Sequence, residues 1–308
     1  MTETVPSPER RDVYREITDH IIAAIEKGAG DCEMPWHREI GTTLPTNVFT
    51  GNAYKGVNVV ALWVAAEAKG YAAGLWATYK QWSLLGAQVR RGEKGSTIVF
   101  YKETHREVME EKTGEAQTQT FLFTRSSSVF NAEHVVGWQP PKRLAPNTAE
   151  VLDNVETFVA ATKADIRHGG DRAFYKRSTD HIVMPERDRF TGTKTSSPTD
   201  GYYSTLLHEL THWTGHRSRL DRDLRGRFGK EAYAMEELVA ELGAAFLCGD
   251  LGITNRPRPD HAAYIGNWLE VLKNDKKAIF TAASQASKAA NFILAFRETV
   301  ETAREDTG

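Results

Sequence analysis

Residues 202–216 read YYSTLLHELTHWTGH, and how this stretch is read decides the fold of the C-terminal half. Leu206, Leu207, Leu210 and Trp213 recur at helical spacing, so the run is a packed amphipathic helix. On that helix His208 and His212 are four residues apart and share a face. Both imidazoles can therefore reach one ion from one side. Glu209 sits beside the first histidine, where its carboxylate can take a proton from an attacking water. Zinc accepts nitrogen and oxygen ligands in a tetrahedron and leaves one position open, which suits this donor set. Manganese and cobalt are open alternatives, since ligand type favours zinc without requiring it.

A bare HExxH is only moderately specific, so the surroundings carry weight. DHIVMP (180–185) reads as a strand ended by proline before this helix. The helix after it reads EAYAMEELVAELGAAFL (231–247). There Glu237 and Glu241 are four apart, while Leu238, Val239, Leu242 and Ala245 bury much of the helix. An inward carboxylate in such a helix needs a partner. The spacing resembles the gluzincin arrangement, in which a later helix supplies the third ligand and a second acid supports it by hydrogen bonding. Glu237 is assigned as the ligand, Glu241 as its support and Glu236 as the fallback ligand. His216 follows Gly215, which can end the helix. It is read as a supporting residue or as a partner of the helix dipole. The metzincin pattern HExxHxxGxxH is not met, because Ser218 stands at its third histidine position. Hydrolysis also needs a donor for the developing oxyanion, and Tyr203, Tyr233 and His216 stand as unranked candidates.

The N-terminal half has a different composition. From residue 54 to 102 it carries seven cations (Lys55, Lys69, Lys80, Arg90, Arg91, Lys94, Lys102) against Glu67 and Glu93. Tyr54, Trp63, Tyr71, Trp76, Tyr79, Trp82 and Tyr101 are interleaved with them. Cations that track phosphates and aromatics that stack on splayed bases are what a single-strand binder needs. A competing reading is a solvated hairpin around RRGEKG, with Trp63 and Trp82 in the core.

The rest of the chain sets the frame. Its 308 residues are comfortable for two domains, and a net charge of −2 selects no class of partner by itself. Cys32 and Cys248 lie in different halves and read as free thiols of a reducing compartment. The N-terminus has no apolar core of a signal peptide, and no stretch approaches about 18 apolar residues. A cytoplasmic protein with no membrane role is expected. Residues 1–11 are polar and are expected to be disordered. The apolar residues Val13, Ile17, Ile21, Ile22 and Ile25 predict a helix from the N-cap Asp12 to about Gly28. Further helices are expected near 58–69 and 78–85, then two short strands around a glycine turn over QVRRGEKGSTIVFYKE. Residues 103–118 read as an exposed hairpin tip, FLFTRSSSVFN (121–131) as a strand, and 137–148, with three prolines, as a linker. The second half is read as helical apart from DHIVMP, with helices near 148–162, 200–216, 231–249, 260–274 and 280–303. The class is thus α+β, with an N-terminal α+β single-strand-binding domain over 12–136. A mostly helical metallopeptidase-like domain follows over 149–308.

PW (35–36), TNVFTGNAYKGVN, LWATYKQW and GAQVRRGEKGSTIVFYK together resemble the N-terminal domain of the ArdC-type antirestriction proteins. DHIVMPERDRF, LLHELTHWTGHRSRLDR, EELVAELGAAFL and YIGNWLEVLKNDKKAIFTAASQASKAANFIL resemble the same family's metallopeptidase-like domain. The resemblance runs from about residue 12 to 303. It implies an accessory protein of mobile DNA such as a conjugative plasmid, one that binds single-stranded DNA and shields incoming DNA from host restriction. It places His208, His212 and Glu237 on the metal ligands and Glu209 on the catalytic acid. It also places Asn47, Gly51, Tyr54, Lys55, Gly56, Asn58, Trp76, Lys80, Gln81, Arg90, Arg91 and Lys94 on the N-terminal motif. A host protein such as a restriction component is an expected target of the metal domain. Two other readings compete: a metalloprotease with no DNA role, and a binding protein whose zinc is structural.

Overall fold

A computed structural model describes residues 12–29, 34, 36–37, 43–109, 116–140, 148–191, 197–222, 229–253 and 261–305. The expected disordered N-terminus, Cys32, the hairpin tip at 110–115 and most of the expected linker lie outside the described residues. No helix among the described residues is long and apolar enough to cross a membrane.

The first described element is α1 (Val13–Gly28), whose first turn is closed by Asp12 Oδ1 accepting from Arg15 N–H at 3.1 Å. Ile17, Ile21, Ile22 and Ile25 form its buried stripe. Strand β1 (Thr46–Asn47) is followed by α2 (Val57–Lys69), which stops at left-handed Gly70, φ 68°. Glycine takes that conformation without the Cβ clash other residues suffer. Then come β2 (Leu75–Thr78) and α3 (Tyr79–Leu84). Thr78 and Gln81 close the start of α3 with a reciprocal capping box. Strands β3 (Gln88–Val89), β4 (Ser96–Met109), β5 (Ala116–Asn131) and β6 (Val135–Val136) complete the N-terminal half.

One sheet has the order β1-β2-β5-β4, and β3 pairs with β6. The two strands expected to pair around the RRGEKG turn therefore pair elsewhere. Strand β4 runs antiparallel to β5 in an unbroken register from Ser96↔Val129 to Met109↔Ala116. Most of the expected hairpin tip at 103–118 is thus ladder, satisfying its own backbone groups although its sequence lacks apolar alternation. The segment read as a linker also contributes. Trp138 packs edge-on against Trp82 at 5.1 Å, in a small second core with Ala77, Ala87, Val89 and Val135.

The C-terminal half begins with α4 (Thr148–Ala161) and a sheet of β7 (Asp165–His168), β8 (Phe174–Lys176) and β9 (His181–Met184) in the order β7-β9-β8. Only β9 was expected. Helices α5 (Pro198–Thr214), α6 (Lys230–Leu251), α7 (His261–Asn274) and α8 (Ala278–Glu305) follow. Ser197 and Asp200 form a second capping box, with Pro198 in the first turn, so the start of α5 is fixed on three counts.

The two halves share one continuous core. Trp63 of α2 meets Phe246 of α6 at 5.9 Å, and Tyr14 of α1 meets Phe280 of α8 at 4.6 Å. Polar contacts cross the same boundary. Thr18 Oγ1 donates to Lys276 O at 2.8 Å, and Gly56 N–H donates to Ser287 Oγ at 3.0 Å.

Candidate metal centre

Helices α5 and α6 cross closely because α6 offers Gly243 at the contact. A Cβ on Gly243 would stand 2.5 Å from Thr211 Cγ2. This approach brings one face of α5 against one turn of α6. Nε2 of His208 and Nε2 of His212 lie 3.1 Å apart. Glu237 reaches both, with Oε2 at 3.6 Å from His208 Nε2 and Oε1 at 3.5 Å from His212 Nε2. One ligand atom from each of His208, His212 and Glu237 fits within a span of 4.8 Å.

The far side of each imidazole has its own carboxylate. His212 Nδ1 pairs with Glu236 Oε1 at 3.1 Å, and His208 Nδ1 stands 3.6 Å from Glu241 Oε2. The Glu236 acceptor behind His212 Nδ1 holds the proton there and turns the Nε2 lone pair inward, while Glu241 faces His208 Nδ1 as a charge beyond hydrogen-bond distance. Two inward imidazole nitrogens and a carboxylate, all nearly buried, are a donor set that fits a divalent cation. Glu236, the fallback ligand of the sequence reading, therefore lies behind His212 and not on the ligand side.

Glu236 is itself held by Arg222, whose Nε and Nη2 donate to its two oxygens at 2.9 and 2.5 Å. Arg222 further donates to Thr214 Oγ1 at 3.0 Å and Thr211 O at 2.9 Å, which ties it to the end of α5. Burial opposes ionisation of Glu236, yet the bonds from Arg222 and His212 outweigh it and hold the carboxyl at about 2. His212 is shifted the other way. Burial works against its charge, but Glu236, Glu237 and Glu209 raise its pKa overall.

Glu241 is buried and its Oε1 accepts two bonds from the N-terminal half. Trp36 Nε1 donates at 3.0 Å, and His37 Nε2 lies at 2.7 Å. His37 Nδ1 accepts from Met34 N–H at 3.0 Å, so the ring proton sits on Nε2 and points at Glu241. The sequence marks Trp36 only as part of the family-like run PW and gives no sign of His37, because no local pattern marks a contact spanning some 200 residues.

Glu209 is buried on α5 beside His208. His216 lies beyond the helix end. Its Nδ1 meets Ser218 Oγ at 2.7 Å and Asp180 Oδ2 at 3.9 Å, so its ring is engaged away from the ligand trio. Among the three oxyanion-donor candidates, Tyr203 is buried and bonded to Glu156. Tyr233 is half exposed, and its hydroxyl meets Tyr264 at 3.0 Å. Burial, Tyr264 and the Glu237 carboxylate together raise the Tyr233 phenol, which keeps it protonated and able to donate.

The N-terminal motif divides in two. Lys55, Lys80, Arg90, Arg91 and Lys94 are exposed, with Arg90 bonded to Glu93 at 2.7 Å. The others serve the scaffold. Asn47 donates to Tyr54 Oη at 3.2 Å and Gln81 Oε1 at 3.1 Å, and its own Oδ1 accepts from Phe49 and Thr50 N–H. Asn58 spends both ends of its amide on the Val99 backbone, each at 2.8 Å. Tyr54 is buried, and Trp76 is fully enclosed. Tyr54 and Trp76 are thus packed into the core and Asn58 is partly buried, which leaves the exposed cations as the members of the motif most open to a ligand. The exposed aromatics here are Phe49 at 44%, Tyr79 at 51%, Phe100 at 49% and Tyr101 at 47%.

Comparison with known proteins fits this geometry. The family model described as the N-terminal domain of anti-restriction factor ArdC matches residues 11–130, and one described as a zincin-like metallopeptidase matches residues 153–285. The crystal structure of the antirestriction protein ArdC from plasmid R388, metal-free, superposes with a TM-score of 0.75 at 41% identity. The match covers 94% of this chain and 99% of that one. The chain belongs to the ArdC-type antirestriction family. The same plasmid protein is also known in a Mn(II)-bound structure, which matches with a TM-score of 0.73 at 39% identity, over 93% of this chain and 98% of that one. Among other relatives of this ArdC-type chain, protein y4eC of Sinorhizobium fredii, itself uncharacterised, is 48% identical over 92% of both chains. A DNA primase TraC of Escherichia coli is 40% identical over 94% of this chain, which spans only 28% of TraC.

Proposed function

We propose that this chain protects incoming DNA of a mobile element from host restriction, by binding it as a single strand and by using a metal-dependent site on α5 and α6. The observation that carries the metal half is the convergence of His208, His212 and Glu237 within 4.8 Å, with a carboxylate behind each imidazole. The DNA half is supported by membership in a family with an antirestriction member, and by five exposed cations bordered by exposed aromatics in the N-terminal half.

In this reading His208, His212 and Glu237 hold the ion, zinc by the chemistry of the donors or manganese by analogy with the plasmid relative. When bound, a divalent ion acidifies water and polarises a carbonyl. Glu209 takes the proton from the attacking water and returns it to the leaving group. Tyr233, protonated and at the rim beside Glu237, donates to the developing oxyanion. Glu236 and Glu241 orient the histidines. The substrate of this site is a host protein, and the compartment is the cytoplasm, where incoming DNA meets restriction enzymes.

The test is binding of a fluorescent single-stranded oligonucleotide to the intact chain across a range of salt, against duplex of the same sequence. Single-strand preference is expected. Log affinity should fall linearly with log salt, with a slope near −0.7 for each phosphate neutralised. Absence of binding at low salt would remove the DNA half of the proposal. For the metal half, E209Q is expected to keep its ion and lose protection of transferred DNA. Full protection by E209Q would make the site structural.

A further inference from the structure

Two routes run from one short segment of the N-terminal half to two different members of the ligand trio. The first is polar. Trp36 and His37 both donate to Glu241 Oε1, and the other oxygen of Glu241 faces His208 Nδ1 at 3.6 Å. The second is aromatic. Trp36 packs on Trp268 at 6.3 Å, Trp268 stacks with Tyr264 at 6.2 Å, and the Tyr264 hydroxyl meets that of Tyr233 at 3.0 Å. Tyr233 in turn lies beside the Glu237 carboxylate.

We infer that Trp36 and His37 are positioning residues of the metal centre, so that the affinity of the site for its ion depends on docking of the N-terminal half. This rests on the reading that His208, His212 and Glu237 hold a metal ion. Glu241 is buried, and a buried carboxylate must be matched by donors. Two of its donors come from residues 36 and 37. Without them Glu241 turns toward another donor. His208 Nδ1, which is buried beyond hydrogen-bond reach of a partner, then loses the carboxylate charge that faces it at 3.6 Å and favours a ring setting with the proton on Nδ1 and Nε2 toward the trio. A group directly behind a ligand, as Glu241 is behind His208, typically changes metal affinity by roughly 10- to 100-fold when removed, and Trp36 and His37 act through it one contact further out. The linkage is reciprocal: an ion that prefers the ordered trio also stabilises the docked segment.

The experiment uses the full chain and the metal alone. Zn(II) and Mn(II) affinities are measured by chelator competition for the wild type, H208A, H37A, H37Q, W36F and T18V. Melting temperatures are taken for each with and without metal. H37A and W36F are expected to bind metal roughly 10-fold more weakly, the lower end of what loss of Glu241 itself would cost, and to show a smaller metal-induced rise in Tm. H37Q can place an amide N–H near the position of Nε2, and it is expected to recover most of the loss. T18V removes the Thr18 bond to Lys276 elsewhere between the halves. It is expected to lower the metal-free Tm and leave metal affinity alone. Should W36F fail to fold, the H37A and H37Q pair decides alone.

If H208A loses the ion while H37A and W36F bind it like wild type, the inference is overturned and the metal reading stands. If H37A loses affinity only in step with a lower metal-free Tm, as T18V does, the role is structural and the inference is again overturned. A wild type that takes up no ion, or an H208A that binds like wild type, overturns the metal reading and this inference with it.

Discussion

Glu236 and Glu237 are neighbours in sequence and serve opposite sides of one imidazole, because a helix turns by about 100° between them. Glu237 faces the Nε2 atoms of both histidines, and Glu236 faces Nδ1 of His212 with Arg222 behind it. Holding Glu236 at about 2, against an ordinary value of 4.5, has a consequence for stability. A carboxyl whose folded pKa lies below its unfolded value binds fewer protons folded than unfolded. Its contribution is therefore complete above pH ~4.5 and is lost as pH falls through ~2. Urea midpoints between pH 6 and 2 should fall across that window by an amount equivalent to a few kcal/mol, about 3 from this group. E236Q should flatten that part of the profile. It should also lower stability at neutral pH by about 3–5 kcal/mol, because Arg222 is then a buried charge without its counterpart. A profile in E236Q as steep as that of wild type would assign the acid sensitivity to other carboxylates. The aromatics permit a second test at this scale. Y79A and F49A should each weaken single-strand binding by roughly 1–3 kcal/mol without lowering the Tm, while W76A should unfold the chain. Fluorescence anisotropy beside a thermal melt separates the two effects, and equal losses of binding and Tm in Y79A would deny it a stacking role.

The placement of α5 against α6 depends on the absence of a side chain at Gly243. G243A puts a methyl group where Thr211 already stands, so the helices must move apart. A loss of about 1–3 kcal/mol is expected by overpacking, and a weaker ion affinity should accompany it, since His208 and Glu237 lie on either side of that crossing. G243A paired with T211S, which removes the Thr211 Cγ2 that the new methyl would meet, should recover part of both losses. Unchanged metal affinity in G243A would show that the trio tolerates separation of the helices. These helices were legible in the sequence, because HELTH and EELVAE sit in long runs whose apolar period matches 3.6 and whose ends carry strong signals. The sheet of the second half was not. Asp165–His168 and Phe174–Lys176 are four and three residues long, without alternation, and they exist because β9 gives them a partner. The register of β4 with β5 was hidden for a similar reason: pairing of backbone groups leaves no mark on a polar sequence. The burial of Trp76 was not legible either, because composition and motif report an aromatic ring and not that packing encloses it. His37 could not be found at all, since its partner Glu241 is 204 residues away.

At the scale of the molecule the family assignment gives two domains, while the packing gives one main core that both halves share. Helices α1 and α2 of the first half lie against α7 and α8 of the second. Leu44 fits against Gly249 of α6, where a Cβ would come within 3.3 Å of its Cδ2. A boundary this apolar leaves neither half with a complete core of its own. If the stripe Ile17, Ile21, Ile22 and Ile25 were exposed by cutting the chain near residue 145, burial worth about 1.5–3 kcal/mol for each fully uncovered side chain would be forfeited. Losses of that size compare with the whole stability of an ordinary domain. The intact chain is therefore expected to unfold in a single cooperative step, with tryptophan fluorescence and far-ultraviolet circular dichroism giving coincident midpoints. Trp76 and Trp82 report on the first half, Trp213 and Trp268 on the second. Saturating metal should displace the whole transition, by about 4 kcal/mol at a free concentration a thousand times its dissociation constant. Two separated transitions, with only the one reported by Trp213 and Trp268 moving with metal, would mean that the halves unfold independently and that the shared apolar boundary contributes little to holding them together.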